Sequence, residues 1–295
     1  MRGAHALAAQ RGFTLVEAVI VIVIIGILGV IVAVFIRAPI QGYVDAVARA
    51  EATDEADLAL RRMARDIRLA LPNSVRVSAD GSAIEFLQTR TGGRYLAAED
   101  GVTGLPVLDF EDAAQRSFTV FAPPATFSQV VPNSDWVVVY NLGTGFAPAD
   151  AYQGGNIAKI TSVVPDPNNA TLKPIATVTL ASNPFAAQSP SMPSPTSSFQ
   201  VVSGAVSFYC RAQGDGTNTL WRAWNYGINA QQVVPSGGER AVMASRLASC
   251  NHLFSHGSAA TQRSSLVLLS LTLNGRYADS PPVRLVHQVH VDNTP

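Results

Sequence analysis

Residues 13–36, FTLVEAVIVIVIIGILGVIVAVFI, form one apolar run broken by a single charge, Glu17. As a helix rising 1.5 Å per residue the run would extend roughly 36 Å, enough for the roughly 30 Å hydrocarbon layer of a bilayer. The residues before it, MRGAHALAAQRG, carry only Arg2 and Arg11 as charges and are not apolar. A secretory signal peptide would place a shorter apolar region first and a small-residue cleavage site after it. Here the small residue, Gly12, comes before the run, and Phe35-Ile36-Arg37-Ala38-Pro39 beyond it offers no Ala-x-Ala site. The expectation is a span at 13–36 that is retained and a leader, 1–12, that is removed.

An acidic side chain within a membrane span is costly and normally has a partner. A cut between Gly12 and Phe13 would give Phe13 a new α-amino group, with Glu17 about one helical turn away. A cation at the start of one helix and an anion one turn deeper suit a staggered neighbour. The alternative is a Glu that snorkels to the headgroups near a helix start. The string Arg11-Gly12-Phe13-Thr14-Leu15-Val16-Glu17 followed by an apolar run resembles the class III signal of type IV pilins and type II secretion pseudopilins. The resemblance implies that a prepilin peptidase cleaves after Gly12, that Phe13 is N-methylated, and that Glu17 pairs with an adjacent subunit's amino terminus during assembly. It also implies residence in the inner membrane with the head in the periplasm, then incorporation into a surface filament. The partners implied are the peptidase, major and other minor pilins, and the inner-membrane assembly platform.

Pro39 and Gly42 are expected to kink or loosen the helix just past the span. From about Asp45 to Leu71 strong helix formers follow, without Gly or Pro, up to Pro72-Asn73. Leu60, Met63, Ile67 and Leu71 share one face, with Arg61, Arg65 and Arg68 turned away as a solvated face. Val44 and Val47 lie roughly opposite that stripe, as on a helix that meets neighbours near its top and its own head lower down.

Beyond residue 72 the periodicity shortens to that of strands, expected at 83–88, 117–121, 136–140, 156–164, 175–180 and 206–210. The clearest are 265–273 and 283–291, where Val267, Leu269, Leu271 and Leu273, and Val283, Leu285, Val289 and Val291, each line one face. A long loop, 274–282, joins these two as a hairpin. The stretch 182–198 is Pro/Ser-rich and expected to be solvated and mobile. A short helix is expected at 239–248. The fold class is therefore α+β, type IV pilin-like: a long N-terminal membrane-spanning helix, continued over 37–72, packed against a β-rich antiparallel head, 73–295.

With 21 Lys+Arg against 21 Asp+Glu the chain lacks the basic surface that nucleic-acid binding needs. Its two cysteines, Cys210 and Cys250, read as one disulfide in an exported chain and as two buried thiols in a cytosolic one. The membrane reading favours the disulfide, and two free thiols remain the alternative. A long helix before a β-rich head with a late cysteine pair also resembles minor pilins of the mannose-sensitive haemagglutinin (MSHA) pilus, type O. The matching blocks are Arg65–Arg76, Trp136–Gly143, Ala151–Asn156 and Gln288–Val291. The type II secretion minor pseudopilin of the J type is the nearest alternative, and 283 residues after cleavage favour a minor role over a major one.

No catalytic motif stands out, so the chain is read as a non-enzyme without cofactor or metal. His287 and His290 are three apart in a strand and point to opposite faces, and His287 reads as a core residue. His252 and His256 would need further ligands to hold a metal. Asp215-Gly216-Thr217-Asn218 reads as a turn, not a calcium loop, and Asn169-Ala170-Thr171 is a sequon of little weight. Trp221 and Trp224 are either packing residues or a sugar-binding pair. From another class, an anchored periplasmic enzyme or ligand-binding protein would use the helix only as an anchor.

Overall fold

The computed structural model describes residues 12–121, 123–169, 172, 174–214, 216–232, 234–256, 266–276 and 280–294. Its dominant element is α1 (Leu15–Ile67), 53 residues and so about 80 Å long. The helix runs unbroken through Pro39 and Gly42, where a kink or loosening was expected. It ends at Ile67, four residues short of Leu71. There the backbone is taken over by a strand: the Leu71 amide bonds to the Leu87 carbonyl at 2.7 Å and the Thr89 amide to the Leu69 carbonyl at 2.7 Å.

α1 divides into two halves of different character. Among the described residues its apolar N-terminal half has no packing partner, and it is long and apolar enough to cross a membrane. The second half lays a buried stripe, Ala48, Ala52, Ala56, Ala59, Leu60, Met63 and Ile67, against the head. Alanines at four-residue spacing leave no side-chain bulk, so the helix axis approaches the sheet closely. Further along, Leu60, Met63 and Ile67 add larger side chains to the same buried stripe.

Among the described residues the head has twelve strands: β1 (Arg76–Val77), β2 (Ala83–Tyr95), β3 (Ser117–Phe121), β4 (Trp136–Val138), β5 (Ile157–Asp166), β6 (Ile175–Leu180), β7 (Ser198–Ala212), β8 (Asn218–Trp224), β9 (Glu239–Leu247), β10 (Phe254–Ser255), β11 (Leu266–Leu273) and β12 (Val283–His290). All the described pairings are antiparallel. The order β2-β3-β6-β5-β4-β7 closes on itself because β7 also pairs with β2. This six-stranded ring encloses one apolar core, with Phe118, Val120, Val137, Ile160, Val178, Phe199 and Val201 inside it. The second core lies between α1 and the sheet continuing through β7, β8, β9, β11 and β12, and includes Phe86, Phe208, Leu220, Leu269, Leu271 and Val289.

β2 and β7 serve both cores. β7 presents Phe199 and Val201 to the ring and Val206 and Phe208 to the helix. The change of aim falls at Gly204, whose φ of +125° is closed to most L side chains, opposite register shifts at Leu87/Thr89 and Thr89/Thr91. Along β11 burial alternates strictly, and Val267, Leu269, Leu271 and Leu273 all face the core.

Two segments differ from the sequence expectation. Residues 239–247 are strand β9, not helix, because they pair with β8 from Trp224↔Glu239 to Asn218↔Leu247. Their helix propensity, worth a few tenths of a kcal/mol per residue, yields to sheet pairing and packing. The Pro/Ser-rich stretch 182–198 is not solvated throughout. It contains a short 3₁₀ turn (Pro184–Ala187) that drives Phe185 into the ring core, and the amide of the buried Ser194 donates a hydrogen bond to the Tyr95 hydroxyl.

Candidate assembly segment

Of the N-terminal residues singled out by the sequence, Gly12 and Phe13 lie just before α1 and Glu17 lies in its first turn. Gly12 has open space where a Cβ would stand, and Phe13 is 74% exposed. Thr14 is the N-cap, its hydroxyl accepting a hydrogen bond from the Glu17 amide at 3.3 Å. Glu17 is thus an exposed acid in the first turn, where the helix dipole favours a negative charge. This local role for Thr14 and Glu17 was written in the Thr-x-x-Glu spacing and was not read from it. Residues 1–11, Arg11 among them, lie outside the described residues.

The segment projects from a rigidly pinned base. Glu55 of α1 accepts from the Ser245 amide at 2.6 Å and hydroxyl at 2.9 Å, and pairs with Arg246 at 2.8 Å. About three turns further along α1, Asp66 pairs with Arg222 of β8, the strand next to β9, at 2.7 Å. Burial pushes the Glu55 carboxyl up, but the Ser245 amide, the Arg246 guanidinium and the Ser245 hydroxyl together hold it below the usual carboxylate value of 4.5. By contrast Arg61, Arg65 and Arg68 are exposed, and Arg61 does no more than pair with Asp57 one turn back.

Cys210, near the end of β7, and Cys250, beyond β9, form a disulfide with their Cα atoms 5.3 Å apart. It sits beside the β7–β8–β9 edge, where Asn218 also donates to the Leu247 carbonyl at 3.0 Å. The expected hairpin of β11 and β12 pairs over its full length, Leu266↔His290 to Leu273↔Val283, while part of its loop and Ser265 lie outside the described residues.

A buried polar cluster was not foreseen. Glu85 has no exposed surface, and its carboxylate accepts from the Arg76 Nε at 2.8 Å and Nη2, from Tyr226 at 3.0 Å and from Ser207 at 3.2 Å. Arg76 also donates to the carbonyls of Ala230 and Asn229, both at 2.8 Å, and lies 3.7 Å from the Tyr152 ring centre. Burial and the Glu85 charge raise the Tyr226 hydroxyl, which therefore stays a donor. Every group is committed to a neighbour in the fold, so the cluster latches the 226–232 loop onto β1 and β2 and leaves no reactive atom facing solvent.

The remaining candidates are placed as follows. Trp221 and Trp224 are half-buried, with Arg240 5.2 Å from the first ring centre and Arg222 4.8 Å from the second, so both indoles are engaged in packing. His256 Nδ1 lies 3.1 Å from the Leu266 carbonyl, and His287 is half-buried on the core side of β12. Among the described residues no three His, Cys, Asp or Glu side chains gather as a metal site. Asp215 and the sequon positions Ala170 and Thr171 lie outside the described residues.

Residues 7–33 match the family model of the prokaryotic N-terminal methylation motif. No curated protein and no solved structure matches the chain. The match, with the long N-terminal apolar helix and the large antiparallel head, supports the class of type IV pilins and pseudopilins and the anchoring of such a chain in a membrane. The motif is a class III signal, which implies processing by prepilin peptidase and assembly with other pilin-type subunits. It is the signature of a structural class of protein.

Proposed function

We propose that this chain is a minor pilin of the MSHA type, held in the inner membrane by residues 13–36 with its head in the periplasm. A prepilin peptidase cuts between Gly12 and Phe13, Phe13 is N-methylated, and Glu17 pairs with the amino terminus of a neighbouring subunit. The subunit primes or caps a surface filament. The observation that carries this reading is the methylation motif continuous with one helix whose first half has no partner among the described residues and whose second half is pinned to the head. An anchor alone would not need an acid one turn from the cleavage point, because a carboxylate in a span is costly unless paired.

The N-terminal mass of the protein recovered from its own membranes tests the pathway. An N-methylated Phe13 start is expected. A start at Met1, or cleavage near Ala38, overturns the role given to Glu17 and returns the anchored-enzyme reading. The J-type pseudopilin reading is separated by deletion: loss of surface filaments supports the pilus, and loss of protein secretion with filaments intact supports the pseudopilus.

A further inference from the structure

β7 is met by two different strands along one of its edges. β4 pairs with it as far as Val202, opposite Trp136, and β8 begins at Val206, opposite Trp224. Ser203, Gly204 and Ala205 lie in the gap between them. On the other edge Leu87 of β2 faces Ala205 and Thr89 faces Val202. Leu87 sends its carbonyl to the Leu71 amide and Thr89 its amide to the Leu69 carbonyl, both away from β7. In an antiparallel pair the residues opposite them therefore direct their own N–H and C=O to the far edge. Val202 meets Trp136 there, whereas among the described residues no strand reaches Ala205. The sheet thus has a notch floored by backbone polar groups, and Gly204 has open space where a Cβ would stand.

Two cavities, of about 310 and 290 Å³, open on this notch and share Ser203, Gly204, Ala205 and Asn225. The first is also lined by Asn133, Ser134, Trp136 and Lys159, and the second by Arg90 and Arg222. Trp136 and Lys159 are cross-strand neighbours, with the Lys159 Nζ 5.3 Å from the indole centre. The three cations differ in one respect. Arg90 is paired with the buried Asp135 at 2.8 Å and Arg222 with Asp66 at 2.7 Å. Lys159 is half-buried, and among the described residues no carboxylate lies within ion-pair reach of it. We propose that the first cavity binds one ring of an anionic saccharide, its carboxylate on Lys159 and its C–H face against Trp136. An ammonium drawn partly out of water is stabilised by an anion, which a neutral sugar would not supply. The strand-edge amide and carbonyl, the Asn133 amide and the Ser134 hydroxyl offer both donors and acceptors to ring hydroxyls. The volume stands at the low end of the range of about 300–1,000 Å³ for ligand sites, which suits a single ring. A peptide strand, by contrast, would find a free edge only three residues long.

Titration calorimetry of the full chain in detergent tests this, with a uronate trisaccharide prepared from alginate and the same trisaccharide after its carboxyls are reduced to alcohols. Saturable binding of the uronate is expected, weaker for the reduced form and weakening as salt is added. Lys159→Gln should lower the affinity for the uronate about tenfold, the loss of one charged hydrogen bond, and leave the reduced form unchanged. Lys159→Arg should keep most of the affinity, and Trp136→Phe should weaken both ligands alike. The thermal midpoint is read for each variant. Lys159 holds no ion pair in the fold, so the Gln and Arg variants carry the test even if Trp136→Phe loosens the head. No saturable binding of the uronate overturns the proposal. Equal binding of the two trisaccharides, untouched by Lys159→Gln, overturns the anionic class. Binding that neither Lys159→Gln nor Trp136→Phe alters overturns the notch as the site.

Discussion

Glu85 is a fully buried carboxylate whose stability rests on the partners it keeps. It lies in AIEFLQ, where alternation sends Ile84 and Phe86 to the helix core and Glu85 to the other face. In a two-layer protein that face would be wet, so the sequence marks Glu85 as an ordinary outward acid. The 226–232 loop covers it instead, and that contact spans some 140 residues of chain, beyond the reach of any local pattern. Removing one partner of a buried pair leaves an uncompensated charge, at a cost of about 3–5 kcal/mol. Arg76→Met should therefore destabilise the protein by about that amount in urea unfolding of the detergent-solubilised chain. Arg76→Met combined with Glu85→Leu should recover much of the loss, because no charge is then left buried. Equal destabilisation by the single and double variants would show that the latch acts through shape and not charge. The Thr14 cap on the Glu17 amide spans only four consecutive residues, and it went unread because the same residues carry the cleavage motif.

The helix was legible as an element and its attachment was not. Leu60, Met63 and Ile67 announce a buried stripe by size, whereas Ala48, Ala52 and Ala56 read as generic helix formers, although they are just as buried. The acids that pin α1 to the sheet carry no local mark, because their partners, Ser245, Arg246 and Arg222, follow some 150–190 residues later. The Glu55 contacts have a pH consequence. Folding lowers the carboxyl below 4.5, so the native state favours the ionised form. The stabilisation is fully present above that value and is lost as pH falls through the lower folded value. The thermal midpoint should fall between about pH 5 and pH 3, and Glu55→Gln should be less stable at pH 7 with a flatter decline over that window. β9 was misread for the complementary reason, since ERAVMASRLA is rich in helix formers and only the β8 partner makes it a strand. At the junction of the two cores, Gly204→Val should cost about 1–3 kcal/mol from its φ alone, there being open space for the side chain. A neutral result in urea unfolding would mean that β7 can re-aim without the glycine.

For the whole molecule, the α+β class and the β-rich head were legible from the change of periodicity at residue 72, but the closed ring was not. Its closure depends on β7 returning to β2 across more than 100 residues, and no window of sequence carries that pairing. The consequence is mechanical. β2 and β7 are each one continuous strand shared by the ring core and the helix-side core, so neither core can open without tearing a pairing that the other uses. Phe199 is buried at the centre of the ring, within 5.8 Å of the Phe118 ring centre and 6.2 Å of that of Phe127. Phe199→Ala removes those contacts and should cost about 3–5 kcal/mol. The loss should not stay in the ring. Hydrogen exchange of amides in β11 and β12, which touch no part of the ring core, should accelerate along with those of β3 and β6, because both report the same global opening. If only β3 and β6 speed up, the ring is an independently unfolding unit. α1 would then remain docked on a head that can lose half its structure and still present the assembly helix.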